Sequence, residues 1–150
     1  MSAKRRVYLD SNVFIAAMEN PGAHSDHAWW IINAVEDGRI IAVTSEITLA
    51  EVLVKPLELG APDLVAAYEQ MIAPSTHFEV LQVRRDILVD AAHVRARRNS
   101  IRLPDAIHIA TALASSCSRF VSNDRRLSID NLKMLTVNPF TVDDILMDPQ

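Results

Sequence analysis

The stretch VYLDSNVFI, Val7–Ile15, decides how the rest of the chain is read. Its first residues are apolar without alternation, as in a strand buried on both faces of a sheet. The run then stops at a carboxylate, Asp10, passes through Ser11 and Asn12, and turns apolar again. In open parallel sheets ligands bind in the crevice beyond the carboxyl ends of the strands, which makes Asp10 a candidate functional residue. Capping of a following helix explains an acid in this place equally well.

Working outward, the spacing predicts strands at Arg6–Leu9, Ile40–Thr44, Glu79–Val83, Arg119–Ser122 and Lys133–Val137. Helical patterning occupies Ser25–Glu36, Glu46–Val54, Pro62–Ile72, Asp86–Arg98 and Pro104–Ser115. Strands alternating with helices in a short chain imply crossover units, hence an α/β fold whose mostly parallel sheet is covered by helices on both sides. The 150 residues contain no repeat, low-complexity tract or linker, so a single domain over residues 1–150 is expected. No apolar run reaches the ~20 residues that span a bilayer, and MSAKRR leads into a segment too short and soon too acidic for a signal peptide. The lone Cys117, in a small and apolar run, fits a reducing compartment; a cytoplasmic protein without a membrane partner is expected.

With only 3 glycines, the chain has neither a P-loop nor a dinucleotide fingerprint, which disfavours nucleotide cofactors. A formal net charge of -4 argues against coating nucleic acid by bulk attraction. Yet 12 of the 15 basic residues are arginines, several grouped as Arg84-Arg85, Arg95 to Arg98 and Arg125-Arg126. Arginine's planar fork suits phosphate, although solvated helix faces paired with local acids account for any one group as well.

Three further acids sit in apolar surroundings. Glu51 lies about two turns into SEITLAEVLV, beyond capping range, and a carboxylate withdrawn from water there requires a partner: a cation, an arginine or a hydrogen-bonding group, or a structural salt bridge to Lys55 one helical turn on. Asp105 follows Pro104 at the front of PDAIHIATAL, and Asp124 closes a strand in FVSNDRRL much as Asp10 closes the first. If the first and fourth strands are neighbours, these acids can converge on one crevice. Two unit charges about 4 Å apart repel by roughly 4 kcal/mol at an effective dielectric of 20, so such a group needs a cation. Carboxylate oxygens without a Cys or His cluster favour Mg²⁺ or Mn²⁺ over zinc. His24 and His27 have ligand-like spacing but no nearby partners, and His108, on the Asp105 face of its helix, is either a structural histidine or bonds an acid or substrate.

Taken together, YLDSNVFI, TSEITLAEVLVKP, LPDAIHIATAL and FVSNDRRL, in this order over nearly the whole chain, resemble the PIN domain family, most closely the toxin nucleases of VapBC toxin–antitoxin pairs. The resemblance implies a three-layer α/β/α sandwich and Mg²⁺- or Mn²⁺-dependent endonucleolytic cleavage of RNA. It makes Asp10, Glu51, Asp105 and Asp124 the catalytic and metal-binding acids. Asn12 and Ser122 would orient carboxylates, and Asn123 competes with Asp124 for the last acidic position. Arg125 and Arg126 would hold substrate phosphates at the pocket rim. It further implies a VapB-type antitoxin; Trp29 and Trp30 are either stacking platforms for RNA bases, core residues, or anchors for that partner or for a homodimer. A non-catalytic RNA-binding or protein-interaction module, a solitary processing nuclease, and a phosphotransferase using Asp10 as nucleophile are the competing readings. The last lacks the second acid of the usual DxD.

Overall fold

The computed structural model describes residues 5–19, 22–124 and 127–147; Arg125 and Arg126 lie outside them. Five strands, β1 (Arg6–Leu9), β2 (Ile41–Ser45), β3 (Phe78–Leu81), β4 (Arg119–Val121) and β5 (Lys133–Leu135), form one sheet in the order β3-β2-β1-β4-β5. Every pairing is parallel. Seven helices accompany it among the described residues: α1 (Ser11–Glu19), α2 (Ala23–Glu36), α3 (Glu46–Glu58), α4 (Pro62–Met71), α5 (Arg85–Arg97), α6 (Leu103–Ala114) and α7 (Thr141–Met147). None is long and apolar enough to cross a membrane.

Side chains alternate across each strand, and the core divides accordingly. Val7, Leu9, Ala42 and Val121 pack with α1, α2, Val52 of α3, Tyr68 of α4 and Ile145 of α7. Tyr8, Val43 and Phe120 face the other way, against Ile87 and Ala91 of α5 and Ala106, Ile107, Ile109 and Ala110 of α6. Burial on both faces is why the strands read as apolar runs, and the result is the expected three-layer α/β/α sandwich.

Two helices were not marked by the sequence pattern. In α1, nine residues long, Val13, Phe14, Ala16 and Ala17 are buried, so it offers no polar face to set the helical period. The seven residues of α7 make barely two turns. Helix α3 also continues past Val54 to Glu58 with Pro56 buried inside it, tolerating one missing N–H donor near its end.

The central β1 lies between β2 and β4. The chain builds outward from β1 through β2 to β3, then returns to place β4 and β5 on its other side. The reversal falls between β1 and β4, so the loops leaving these two strands diverge and open a crevice at their carboxyl ends.

Candidate active site

Asp10, the residue after β1, is 4% exposed and sits in that crevice. Its Oδ1 accepts from the Ser11 backbone N–H at 2.7 Å and from Ser11 Oγ at 3.3 Å, and its Oδ2 accepts from Ser122 Oγ at 2.8 Å. Its bond is to the first residue of α1 and not to the second or third, which a capping side chain would take, and three donors fix its orientation. The hydroxyl beside it belongs to Ser11. Asn12, one residue on, is exposed and has no hydrogen bond to the carboxylates among the described residues.

Glu51 enters from α3, with about a third of its side chain exposed. Its partner is His108 of α6: Nε2 lies 2.5 Å from Glu51 Oε1, and no ion pair to Lys55 forms among the described residues. A carboxylate only accepts, so Nε2 carries the proton in this contact. The same Nε2 lies 3.7 Å from Asp10 Oδ1. The opposite ring nitrogen, Nδ1, meets the buried Tyr8 hydroxyl at 2.5 Å. Burial, with the Asp10 charge behind it, pushes the Tyr8 phenol well above its ordinary pKa, so it keeps its proton. Burial alone would lower the His108 pKa; the Glu51 hydrogen bond and the charges of Asp10, Glu51 and Asp105 outweigh it and raise the value.

Asp10, Glu51 and His108 bring ligand atoms within 4.8 Å of one another, the one such group among the described residues. Asp105 and Asp124 stand outside it. Asp105, in the first turn of α6, is 8% exposed and accepts from Arg102 Nε at 3.2 Å. Asp124 is half-buried, and its backbone N–H donates to Ser122 Oγ at 3.1 Å, so one serine links the loop after β4 to Asp10. Asn123 is committed elsewhere: Oδ1 accepts the Val137 N–H at 3.2 Å and Nδ2 lies 2.9 Å from His24 Nε2.

A divalent ion fits this donor set. The Nε2 of His108 is engaged with its proton toward Glu51, so the donors left are carboxylate oxygens, which suit Mg²⁺ or Mn²⁺ better than zinc. Among the described residues no arginine or lysine forms an ion pair with Asp10 or Glu51. Behind the acids, Thr44 Oγ1 bonds the Leu9 carbonyl at 2.8 Å and Thr48 Oγ1 at 2.7 Å, so buried hydroxyls tie β1, β2 and α3 together under the site.

Tyr8, Ser11, Thr44 and Arg102 were absent from the expected site. One signal for Tyr8 exists in the sequence: a tyrosine inside an aliphatic strand must find a partner for its hydroxyl, and the strand's alternation sets it on the face opposite Val7 and Leu9.

The PIN domain family model matches residues 7–131. The chain belongs to the PIN domain family. Solved structures similar to this PIN domain include VapBC2 from Rickettsia felis bound to a fragment of promoter DNA, with a TM-score of 0.70 and 15% identity over 89% of this chain and 99% of that one. DNA-bound VapBC from Salmonella typhimurium gives 0.68 and 20% over the same shares of each chain. VapC20 of Mycobacterium tuberculosis, a toxin that cleaves the sarcin–ricin loop, gives 0.63 and 17% over 79% of this chain and 91% of that one. At these identities the likeness shows a shared fold. No curated protein sequence matches this PIN domain.

Proposed function

We propose that this PIN domain, a single domain over residues 1–150, is a Mg²⁺- or Mn²⁺-dependent endoribonuclease and the toxin of a type II toxin–antitoxin pair. The carrying observation is the Asp10 carboxylate, buried at the fold's crevice, held by three donors and set within 4.8 Å of Glu51 and His108 without an arginine or lysine ion pair among the described residues. A buried acid oriented this fully is costly unless something opposite in charge completes it.

Asp10, Asp105 and Asp124 would hold the ion, with Glu51 either joining them or facing the water. A bound divalent cation would supply an acidified water and offset charge on the phosphate oxygens. His108 donates to Glu51 and fixes the direction of its carboxylate, leaving the second oxygen to accept a proton from the attacking water. Ser11 and Ser122 hold Asp10 and so set the floor of the site. No covalent intermediate with the protein is needed. Arg125 and Arg126 remain candidates for substrate phosphates.

The partner proposed is a VapB-type antitoxin, because two of the similar folds are VapBC complexes. Trp29, whose indole N–H bonds the Ala17 carbonyl at 2.9 Å, lines an apolar groove with Phe14, Met18, Ile32 and Phe78, a shape that suits the apolar face of a helix. A homodimer in the cytoplasm completes the reading.

The test is cleavage of a labelled RNA by the purified chain. Excess chelator should stop it and added Mg²⁺ or Mn²⁺ restore it. Undiminished cleavage in chelator would reject the mechanism. RNA binding without cleavage under every metal tried would favour a non-catalytic module.

A further inference from the structure

We infer that Arg102 is a phosphate seat at the mouth of the site, anchored by Asp105 and continued outward by the arginines of α5; this rests on the ribonuclease reading above. Arg102 immediately precedes α6, and its Nε donates to Asp105 Oδ2 at 3.2 Å. The two ends of this contact differ sharply: the Asp105 side chain is 11% exposed, that of Arg102 71%. One edge of the planar guanidinium is therefore fixed on a buried acid. Its two Nη groups take no partner among the described residues and remain for a ligand. A guanidinium's outer edge matches two oxygens of a phosphate in a bidentate pair. Anchoring the inner edge removes part of the ordering cost of binding.

The surrounding charge points the same way. Between residues 84 and 102 there are six arginines and two acids, in a chain whose formal net charge is -4. All six arginines are exposed. Arg84 is turned to Asp86, and Arg98 donates to the Ser128 carbonyl, while Arg95 and Arg97 stand in the last turn of α5, one short turn before Arg102. A polyanion approaching this acidic protein is drawn to that side, and Arg102 is the member of the series that touches an acid of the site.

A merely structural Arg102 would neutralise Asp105 and nothing more. Salt dependence separates the two roles, because a phosphate contact on single-stranded nucleic acid releases about 0.7 counterion and a structural ion pair releases none on binding. The experiment uses the Asp10→Asn chain, so that substrate stays intact, and follows anisotropy of a labelled single-stranded RNA over a series of NaCl concentrations at fixed Mg²⁺. Adding Arg102→Gln should weaken binding about tenfold and flatten the plot of log K against log salt by about 0.7. Arg102→Lys should keep the slope and recover only part of the affinity, since it keeps the charge and loses the fork. Arg39→Gln removes the same charge just before β2, at the opposite end of the sheet, and should leave the slope unchanged. A slope and affinity unaltered by Arg102→Gln, or a fall in thermal stability with the slope preserved, overturns the phosphate seat while the ribonuclease reading stands. A parent chain that binds no RNA overturns both.

Discussion

The two ends of the same central strands handle charge in opposite ways. At the amino ends, Arg6 forks onto Glu79 across β2, with both nitrogen–oxygen distances 2.8 Å, and spends its Nε on the Ser115 carbonyl at the end of α6. Arg6 and Glu79 match each other there within the fold. At the carboxyl ends, among the described residues, Asp10 and Glu51 share one histidine, His108, and Asp105 takes one arginine, Arg102. Backbone geometry is common to both ends; the difference lies in whether the side chains neutralise each other. Where charge is completed internally, removing it should cost stability. Where it is left incomplete, removing it should cost function and can even relieve the fold.

The sharpest way to break this contrast is Asp10→Asn, which keeps the shape and deletes the charge. RNA cleavage should fall by at least about 10²–10³-fold, the range for losing one preorganised electrostatic contact to a reacting group. The thermal midpoint should stay level or rise, because the neighbouring carboxylate no longer repels. Cleavage within a few-fold of the parent, or a clear drop in the midpoint, would make Asp10 part of the framework like Arg6.

His108→Ala sharpens the comparison, since His108 belongs to both categories: buried in the core and bonded to an acid of the site. Truncation takes from the Tyr8 hydroxyl its bond to the ring and frees Glu51. Leaving a buried polar group unsatisfied costs about 1–3 kcal/mol, readable by urea denaturation. Losing the group that orients a ligand costs about 10–100-fold in metal affinity or activity. The two losses should appear together, with calorimetric Mn²⁺ affinity as the second readout. A stability loss with unchanged Mn²⁺ affinity would make His108 purely structural.

How much of this was legible beforehand differs between the same two levels. The parallel α/β architecture could be read because double-sided burial leaves unbroken apolar runs, and the strand limits were missed by only a few residues. Helices α1 and α7 could not, because the first is buried along most of its face and the second is too short for a period. Within the site, acids at strand ends stand out against apolar neighbours. Their partners do not. That Ser11 rather than Asn12 meets Asp10, or that His108 reaches Glu51 from a helix 57 residues away in sequence, depends on helix rotation about its axis, which spacing alone does not set.

A smaller effect is expected at His24. The Val137 N–H fixes the Asn123 amide so that its Nδ2 faces His24 Nε2, which thereby pins the loop carrying Asp124 to the start of α2. His24→Ala should lower kcat by roughly tenfold or less with KM unchanged, in the lower part of the range for outer contacts of a metal site. His24→Gln, whose amide oxygen also accepts, should recover most of it. Equal losses in the two variants would show that the bond to Asn123 is not what matters.

The smallest effect belongs to the amino end. The Arg6 hydrogen bond lowers the Glu79 pKa below its ordinary value of 4.5, against an opposing push from burial. A carboxyl group whose folded pKa is depressed favours the native state when ionised. Its contribution is therefore complete above the unfolded value and is lost as pH falls through the folded one. Because 43% of the Glu79 side chain is exposed, solvent screens the pair, and the contribution is a fraction of a kcal/mol, about 0.5. Glu79→Gln should thus unfold slightly more easily than the parent at neutral pH, with the two denaturation curves merging as pH falls through the lowered Glu79 pKa and RNA cleavage unchanged. The contrast between the two ends requires both halves of that result. A stability gap that persists in acid would assign the effect to packing, and a loss of cleavage would mean that the matched end of the sheet also serves the site at the other.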